Sequence, residues 1–395
     1  MKLTPAQDSV LTTVDRWTNQ QTYPFFPVVA QASSTRATLD DGRELVVFGS
    51  ADYLGLSRHP AVIDGAVEAV RKFGASLYGV QASSGFTTLH RDLAAALAKY
   101  FGHPEAALFP TGMQANFGTM AALFGPGDEV FCDQYNHSSI MLGARLSGAK
   151  VVTFRHNNME HLESLLRNSS GRGNRGIIVD GLFSADGDYA ALGRIAELAD
   201  DHGLLLIVDE AHAAGAVGNA GRGAAELAGI SERVDVITGT LSKAFGGVGG
   251  FAVGQRTTIN LIRHTAAAYL LSVGLAPATV GAALVAVQIA SGPEGSVRRS
   301  ALDDNARLLR HRLVDAGARI GTSTSHIVPV LTCEVDRTVT VATWLRDHGL
   351  MANPLVPPAV PIGAARLRLG VLSDHDQADI DMAASLIEHA LEQHS

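Results

Sequence analysis

Cysteine is scarce in this sequence, with only Cys132 and Cys333 among 395 residues. The two have no CxxC spacing and no histidine cluster beside them, which argues against a disulfide framework and against a structural zinc site. Long apolar runs are missing as well, since no stretch reaches the roughly 18 residues of a transmembrane helix, and the N-terminus has no apolar export region. We therefore expect a soluble protein of the reducing cytoplasm, without a bound metal.

Charged residues are also few, at 18% of the chain, and acidic residues outnumber basic ones by 39 to 31. No basic run stands out, so the sequence predicts neither a nucleic-acid partner nor a membrane partner. Hydrophobic residues make up 46% of the chain, which is typical of a well-buried globular protein. Because the chain is too long for one ordinary core, we expect two lobes.

Short β-type runs and helical segments alternate through the middle of the chain, which predicts an α/β fold with a mainly parallel sheet covered on both faces. The seven predicted strands are Ala106–Phe109, Glu129–Cys132, Lys150–Phe154, Gly176–Val179, Leu204–Val208, Val234–Thr238 and Gly250–Val253.

We predict three parts: an N-terminal arm over residues 1–45, a large domain over 46–280 and a smaller α+β C-terminal domain over 281–395. The arm has an amphipathic start and a proline-broken aromatic segment, and it is too small to fold alone. In the C-terminal part, helices are expected at 277–291, 299–317, 337–349 and 377–393, and strands at His326–Leu331 and Arg366–Leu369.

Lys243 follows a short β-type run and precedes two glycines, Gly246 and Gly247. Ligands of open α/β sheets bind at the carboxyl ends of the strands, and lysine forms Schiff bases with carbonyl compounds and with pyridoxal phosphate (PLP). Taken alone, Lys243 is better explained as an ordinary surface lysine in a glycine-rich turn.

Asp209 ends another strand and begins the sequence Asp-Glu-Ala-His, which closes with His212. A PLP enzyme needs a carboxylate beside the pyridine nitrogen, and His212 could reach the phenolic oxygen of the cofactor. The same four residues also occur in helicases, but the phosphate-binding loop that a helicase requires is missing from this sequence.

Further candidates for a site follow other predicted strands. Thr111, Gly112 and Met113 open a helix whose N–H groups suit a phosphate, although Thr111 also fits an ordinary helix cap. His137 could lie flat on a cofactor ring or only satisfy a local hydrogen bond, and Ser184 lies in a polar turn that could contact the cofactor. Arg366 and Arg368 alternate along a strand, and an arginine can bind a substrate carboxylate through two hydrogen bonds.

Together these segments resemble, in order and spacing, the α-oxoamine synthase family of fold-type-I PLP enzymes, from about Asp41 to His389. The resemblance implies that Lys243 carries the Schiff base with PLP, that Asp209 pairs with the pyridinium and that His137 stacks on the ring. It further implies that His212 and Ser184 lie near the phenolic oxygen, that Thr240 holds the phosphate with the amides of Gly112 and Met113, and that Arg368 binds the substrate carboxylate. Active sites of the family lie at a dimer interface, and Ser272 is in the segment that resembles one reaching the phosphate of a neighbouring subunit.

Four positions depart from the family pattern. Ala51 stands where most members have asparagine, and Gln81 where they have arginine, in loops that face the substrate. Met113 replaces a common aromatic residue, and Val273 replaces a hydroxyl residue that binds phosphate. These departures leave the expected cofactor in place and leave the substrate open.

The reaction we expect is the condensation of a small α-amino acid with an acyl thioester, carried by CoA or by acyl carrier protein, usually with loss of CO₂. The enzyme would be a homodimer, with Lys243 as the general base. The alternatives are another fold-type-I reaction, such as aldol cleavage or β- or γ-substitution, and a non-catalytic subunit of a synthase. The presence of Lys243 argues against the last of these.

Overall fold

The computed structural model describes residues 4–169, 171 and 173–394. Within them the strands β1 to β14 are Val29–Ala32, Arg36–Leu39, Glu44–Val47, Glu105–Phe109, Glu129–Asp133, Lys150–Phe154, Arg175–Asp180, Leu205–Asp209, Val236–Thr240, Gly250–Gly254, Ile327–Cys333, Leu350–Met351, Asn353–Leu355 and Ala365–Gly370. The helices α1 to α14 are Pro5–Asn19, Pro60–Phe73, Thr88–Phe101, Gly112–Leu123, Ser138–Leu146, Met159–Arg167, Leu192–His202, Ala224–Leu227, Arg256–Thr265, Ala267–Leu270, Pro277–Ser291, Pro293–Asp315, Val335–Asp347 and Gln377–Gln393.

The chain divides into two compact units. The larger unit comprises Ala51–Ser184 and Asp188–Leu302. The smaller unit comprises the described residues up to Ser50, the short segment Ala185–Gly187 and the described residues from Asp303 onward. In this division, α1 and β1 to β3 share a unit with the C-terminal helices and strands.

The larger unit is built on a seven-stranded sheet in the order β4-β10-β9-β8-β7-β5-β6. Only β10 runs against its neighbours, and the remaining pairings are parallel. The expected fold is therefore confirmed, and all seven predicted strands form within two residues of their predicted ends. Strands β5, β9 and β10 are buried along their whole length, as the continuous apolar runs of a covered parallel sheet require.

The hydrophobic core of the larger unit includes residues from β4, β5 and β7 and from α4, α5 and α9. It includes Phe109, Ala115, Met120, Val130, Ile140, Ile178, Ile259 and Ile262. Contact between α4 and α5 is close because Gly143 has no side chain, and a Cβ there would lie 3.2 Å from Met120 Cγ and 3.3 Å from the carbonyl oxygen of Asn116. This packing fixes the first turns of α4 and α5, where two of the site segments lie.

The smaller unit contains a four-stranded sheet, β1-β2-β3-β12, and a three-stranded sheet, β11-β14-β13. The longest helix among the described residues, α12, begins at Pro293, six residues before the predicted start at 299. Proline is favourable in the first turn of a helix, so Gly292-Pro293 begins this helix and does not mark a longer loop. Along the described chain, no helix combines the length and apolar character needed to cross a membrane.

Candidate active site

The carboxyl ends of β7, β8 and β9 lie side by side in the larger unit. Their register pairs Asp180 with Asp209 and Asp209 with Thr238. A cavity of about 190 Å³ opens at this edge. Its lining comprises Thr111, Gly112, Met113, Asn116, His137, Ser139, Asp180, Asp209, Ala211, His212, Thr240, Ser242 and Lys243. The edge is the place where ligands of parallel α/β sheets bind.

Lys243 lies on the loop that leaves β9. The base of this loop is closed by the Leu241 N–H, which donates to the Gly249 carbonyl at 2.9 Å. Gly246 has a φ of 60° and lies so close to the backbone of Ser57 that a Cβ would come within 2.3 Å of its nitrogen. Only glycine fits this turn. The loop is thus held rigidly, and Lys243 is presented to the cavity half-buried.

Asp209 is buried at the base of the cavity, with an exposed fraction of 4%. One carboxylate oxygen accepts the Asn116 amide at 2.7 Å, and the other accepts the Ala211 N–H at 2.9 Å. Asn116 also donates to Ser139 Oγ at 2.8 Å and accepts the Thr238 hydroxyl at 2.7 Å. Because both of these donors favour the charged form of a carboxylate, the arrangement suits a partner with a protonated ring nitrogen.

His137 caps α5, and its backbone N–H donates to Asp180 at 2.6 Å. Its Nδ1 lies 2.7 Å from Ser139 Oγ, which fixes the ring orientation. Burial lowers the pKa of His137, with Asp209 opposing and Lys243 adding to this shift, so the imidazole is neutral near pH 7. Burial, together with the nearby Asp209 charge, raises the pKa of Asp180 well above its usual range. A neutral imidazole can stack on an aromatic ring without an added charge.

His212 is buried and lines the cavity. Its Nδ1 lies 2.7 Å from the hydroxyl of Tyr53, which is itself 1% exposed. A hydrogen bond to one ring nitrogen sets the tautomer and the orientation of the other. Tyr53 therefore positions His212.

The start of α4 is a candidate site for an anion. Thr111 caps the helix by accepting the Gln114 N–H at 3.1 Å. Two glycines allow close packing here: a Cβ on Gly112 would lie 2.9 Å from Thr240 Cβ, and one on Gly250 would lie 2.3 Å from the Thr111 carbonyl oxygen. The Thr240 hydroxyl lies 2.7 Å from Ser242 Oγ. Free N–H groups at a helix start together with nearby hydroxyls match a phosphate monoester.

The residues in the cavity thus fit PLP: a helix start for its phosphate, a buried carboxylate for its nitrogen, a neutral imidazole for its ring and a lysine for its aldehyde. Eight predicted site residues line it together, namely Thr111, Gly112, Met113, His137, Asp209, His212, Thr240 and Lys243.

Five other predicted site residues do not line this cavity. Ser184 lies half-buried in the turn that follows β7, and Ala51 is half-buried ahead of Tyr53. Ser272 accepts a hydrogen bond from Gln114 at 3.3 Å. Gln81 is buried and donates to the Leu108 carbonyl at 3.0 Å. Arg368 lies half-buried on β14 of the smaller unit.

Sequence reasoning gave no role to Asn116, Ser139, Asp180 or Tyr53. Asp180 was detectable in principle, because it ends the strand before Asp209 along the chain and parallel neighbours bring their ends together. Asn116 was also detectable, since it lies four residues after Gly112 and therefore on the same face of the helix. No sequence pattern predicts the contacts of Tyr53 with His212 and of Ser139 with Asn116, because each joins residues that are distant along the chain.

Comparison with known proteins identifies the family. The sequence profile described as "Aminotransferase class I and II" matches residues 43–387. The chain belongs to this family. Among curated relatives, 8-amino-7-oxononanoate synthase of Pelobacter propionicus is 39% identical over 356 residues, which cover 90% of this chain and 91% of the relative. The corresponding protein of Geotalea daltonii is 38% identical over 363 residues, which cover 92% of both.

Solved structures of this family superpose closely on the chain. A serine palmitoyltransferase from S. paucimobilis, solved with bound PLP and myriocin, has a TM-score of 0.96 at 30% identity, covering 100% of this chain and 99% of the other. An 8-amino-7-oxononanoate synthase from Francisella tularensis has a TM-score of 0.74 at 25% identity, covering 88% of this chain and 98% of the other. The expected membership of the α-oxoamine synthases is confirmed, and the chain is an enzyme of this PLP-dependent group.

Proposed function

We propose that this protein is a PLP-dependent acyltransferase that condenses a small α-amino acid with an acyl thioester, with loss of CO₂, to give an α-amino ketone. The observation that carries the proposal is the convergence of Lys243, Asp209, His137 and His212 on one cavity beside the start of α4. PLP, when bound, supplies an electron sink that stabilises negative charge at the substrate α-carbon.

The protein residues have separate tasks in this proposal. Asp209, fixed by Asn116 and Ala211, holds the proton of the ring nitrogen. Lys243 would hold the cofactor through its aldehyde and would serve as the general base for the substrate α-proton. His137 would contact the cofactor ring, and His212, which Tyr53 holds in place, would contact its phenolic oxygen. Thr240, the hydroxyl of Ser184 and the α4 amides at Gly112 and Met113 complete the cofactor contacts.

Arg368 is our candidate for binding the substrate carboxylate, and the support comes from its surroundings in the smaller unit. Its neighbour on the same strand face, Arg366, is buried and paired with Asp186 at 2.5 Å. That pair neutralises Arg366. Among the described residues, Arg368 has no side-chain ion pair or hydrogen bond, so its planar fork remains available for a carboxylate. Ala51 and Gln81 would then adapt the substrate loops to the particular amino acid.

We further propose a cytoplasmic homodimer with the active site at the interface. Large apolar side chains are exposed near the site segments: Tyr78 is 90% exposed, Leu271 79%, Val273 50% and Met113 45%. Exposure of this size around one region favours a protein interface. Ser272 lies between two of these residues and would reach the phosphate of the neighbouring subunit. Light scattering would test the dimer, since a monomer at micromolar concentration would contradict it.

The decisive test of the reaction is a panel of small amino acids, with and without acyl-CoA or acyl carrier protein thioesters, followed by mass spectrometry of the products. We expect an α-amino ketone and one CO₂ per thioester consumed with glycine, alanine or serine. Asp209→Asn should reduce turnover by roughly 10²- to 10³-fold, as the loss of other preorganised charges does. Turnover of a β- or γ-substituted amino acid alone, without any thioester product, would contradict the proposal and favour a different fold-type-I reaction.

A further inference from the structure

His156 lies outside the cavity, between two carboxylates of the larger unit. Its Nδ1 is 3.0 Å from Asp133 Oδ1, and its Nε2 is 2.9 Å from Asp188 Oδ2. The Tyr135 ring stacks on the imidazole with centroids 4.5 Å apart, and Phe183 meets its edge at the same distance. Asp133, Asp188 and Tyr135 are the titratable groups that face this ring. The imidazole thus contacts residues at the end of β5 and in the loop after β7.

The geometry requires both ring nitrogens to donate. A neutral imidazole has one N–H, whereas two ionised carboxylates offer only acceptors. Asp133 is fully buried, so leaving it unpaired would be costly. Burial alone lowers the pKa of His156, but its hydrogen bonds to Asp133 and Asp188 outweigh this and raise the pKa to about 9. Near pH 7 the ring is an imidazolium.

Asp133 connects His156 to the loop that carries His137. It is the last residue of β5, and its carboxylate also accepts the N–H groups of Tyr135 and Asn157 at 2.8 Å each. Asn136, next in the loop, donates its amide to the Ile178 carbonyl at 2.8 Å. The His137 N–H then reaches Asp180. The position of His137 is therefore built on the turn that Asp133 holds.

Asp188 connects the same ring to the loop after β7. Phe183 N–H donates to the Asp188 carbonyl at 3.0 Å, and Leu182 forms a β-bridge with Tyr189. Asn157 adds a second link, since its amide donates to Asp188 at 3.2 Å and to the Tyr189 carbonyl at 3.0 Å. Ser184 lies in the turn that these contacts close.

We propose that His156 is a positioning residue that, as an imidazolium between Asp133 and Asp188, fastens together the two loops that carry His137 and Ser184. The effect of His156 on PLP binding rests on the proposed function. The link between the two loops is independent of it, because both loops and the charged ring are present in the protein without cofactor. Loss of this one charge should loosen both loops together.

The first test uses nitrogen-15 spectra of the histidine rings in protein without added cofactor. The signal that disappears in His156→Asn should be doubly protonated at pH 7.5 and titrate near pH 9. A singly protonated ring at pH 7.5 would overturn the proposal. His311→Asn is the matched control, since His311 pairs with Asp315 at 2.8 Å on the solvent-exposed side of the smaller unit.

Hydrogen exchange then tests the fastening itself. In His156→Asn, the amides of residues 134–138 and 181–189 should exchange at least roughly tenfold faster than in the wild type, while the amides of α12 exchange at the wild-type rate. In the control variant His311→Asn, the amides of the two loops should exchange at the wild-type rate. Unchanged exchange in either loop would overturn the proposal. Asp188→Asn serves if His156→Asn fails to fold. Its new amide can donate to a neutral ring, so the loops should stay protected above pH 9, where those of the wild type open.

The last readout is the affinity for PLP, measured by titration of the apoprotein. We expect His156→Asn to weaken binding about tenfold, equivalent to about 1.4 kcal/mol, and Asp188→Asn to weaken it less. Wild-type affinity in His156→Asn, despite looser loops, would overturn the role in positioning the cofactor contacts. If the wild type itself binds no PLP, the proposed function fails, whereas the ring titration and hydrogen exchange still decide whether His156 fastens the loops.

Discussion

Asn116 is the residue on which the buried hydrogen bonds of the site converge. Its amide nitrogen donates to Asp209 and Ser139, and its amide oxygen accepts the hydroxyl of Thr238. The asparagine amide carries two N–H donors and one carbonyl acceptor, so it can donate to a carboxylate and to a second oxygen while it accepts from a hydroxyl. Asn116 thereby holds the Asp209 carboxylate in place without adding charge to the cavity.

Asn116→Asp should weaken PLP binding by at least about tenfold, because it places a second carboxylate within hydrogen-bonding distance of Asp209 and like charges at that range raise a carboxyl pKa. Titration of the apoprotein with PLP at pH 7.5 measures the effect. Asn260→Asp, an equivalent change at an exposed position of α9, should leave the affinity unchanged. Equal affinity in both variants would remove Asn116 from the support of Asp209.

At the scale of elements, β10 and α4 form the anion site by close approach of their backbones. Gly250 begins β10 directly beside Thr111, the residue that caps α4. No side chain fits between them, so the glycine sets the distance between the sheet and the helix start. The same contact places Gly112 against Thr240.

Gly250→Ala should lower the free energy of unfolding by about 1–3 kcal/mol, as overpacking does, and should weaken phosphate binding at the α4 start. Gly193→Ala is the matched control, because a Cβ there meets no atom within 4 Å. Since Gly193 lies in α7, alanine should instead stabilise the protein by about 0.5–1 kcal/mol. Urea unfolding and PLP titration of the two variants measure both effects. A neutral Gly250→Ala variant would contradict the close approach.

The positions of the helices and strands along the chain were largely predictable from the sequence, but the order in which the strands pair in the sheet was not. The seven strands of the large sheet are continuous apolar runs between turn residues, so their positions follow from composition alone. The strand order is not local information, because β5 pairs with β7 across an intervening strand and two helices. Hence Lys243 and Asp209 were found at strand ends, but the contact of His156 with Asp188 was not, because it depends on which strands become adjacent.

For the molecule as a whole, the partly buried imidazolium of His156 should make the free energy of unfolding fall at alkaline pH. Its pKa rises from about 6.5 in the unfolded chain to about 9 in the fold. A raised folded pKa means that the stabilisation is fully present below about pH 6.5 and is lost as the pH rises through 9.

Urea unfolding of the apoprotein between pH 7 and 9.5 should therefore show a loss of free energy that is larger in the wild type than in Asp188→Asn. The expected difference is about 1–2 kcal/mol, because Asp133 still raises the pKa of His156 in the variant and solvent screens part of the interaction. The variant serves as the control for lysine and tyrosine titrations, which the two proteins share. Parallel pH curves for the two proteins would show that the charge on His156 contributes nothing to global stability.

For the active protein as a whole, we propose that Lys243 is the residue that holds PLP. The direct measurement is borohydride reduction of the protein reconstituted with PLP, followed by digestion and peptide mass spectrometry. We predict one phosphopyridoxyl group per chain, attached to Lys243, with the visible absorption band lost in Lys243→Ala and retained in the exposed control Lys99→Ala. Labelling of a different lysine, or an unlabelled and colourless wild type, would contradict the account.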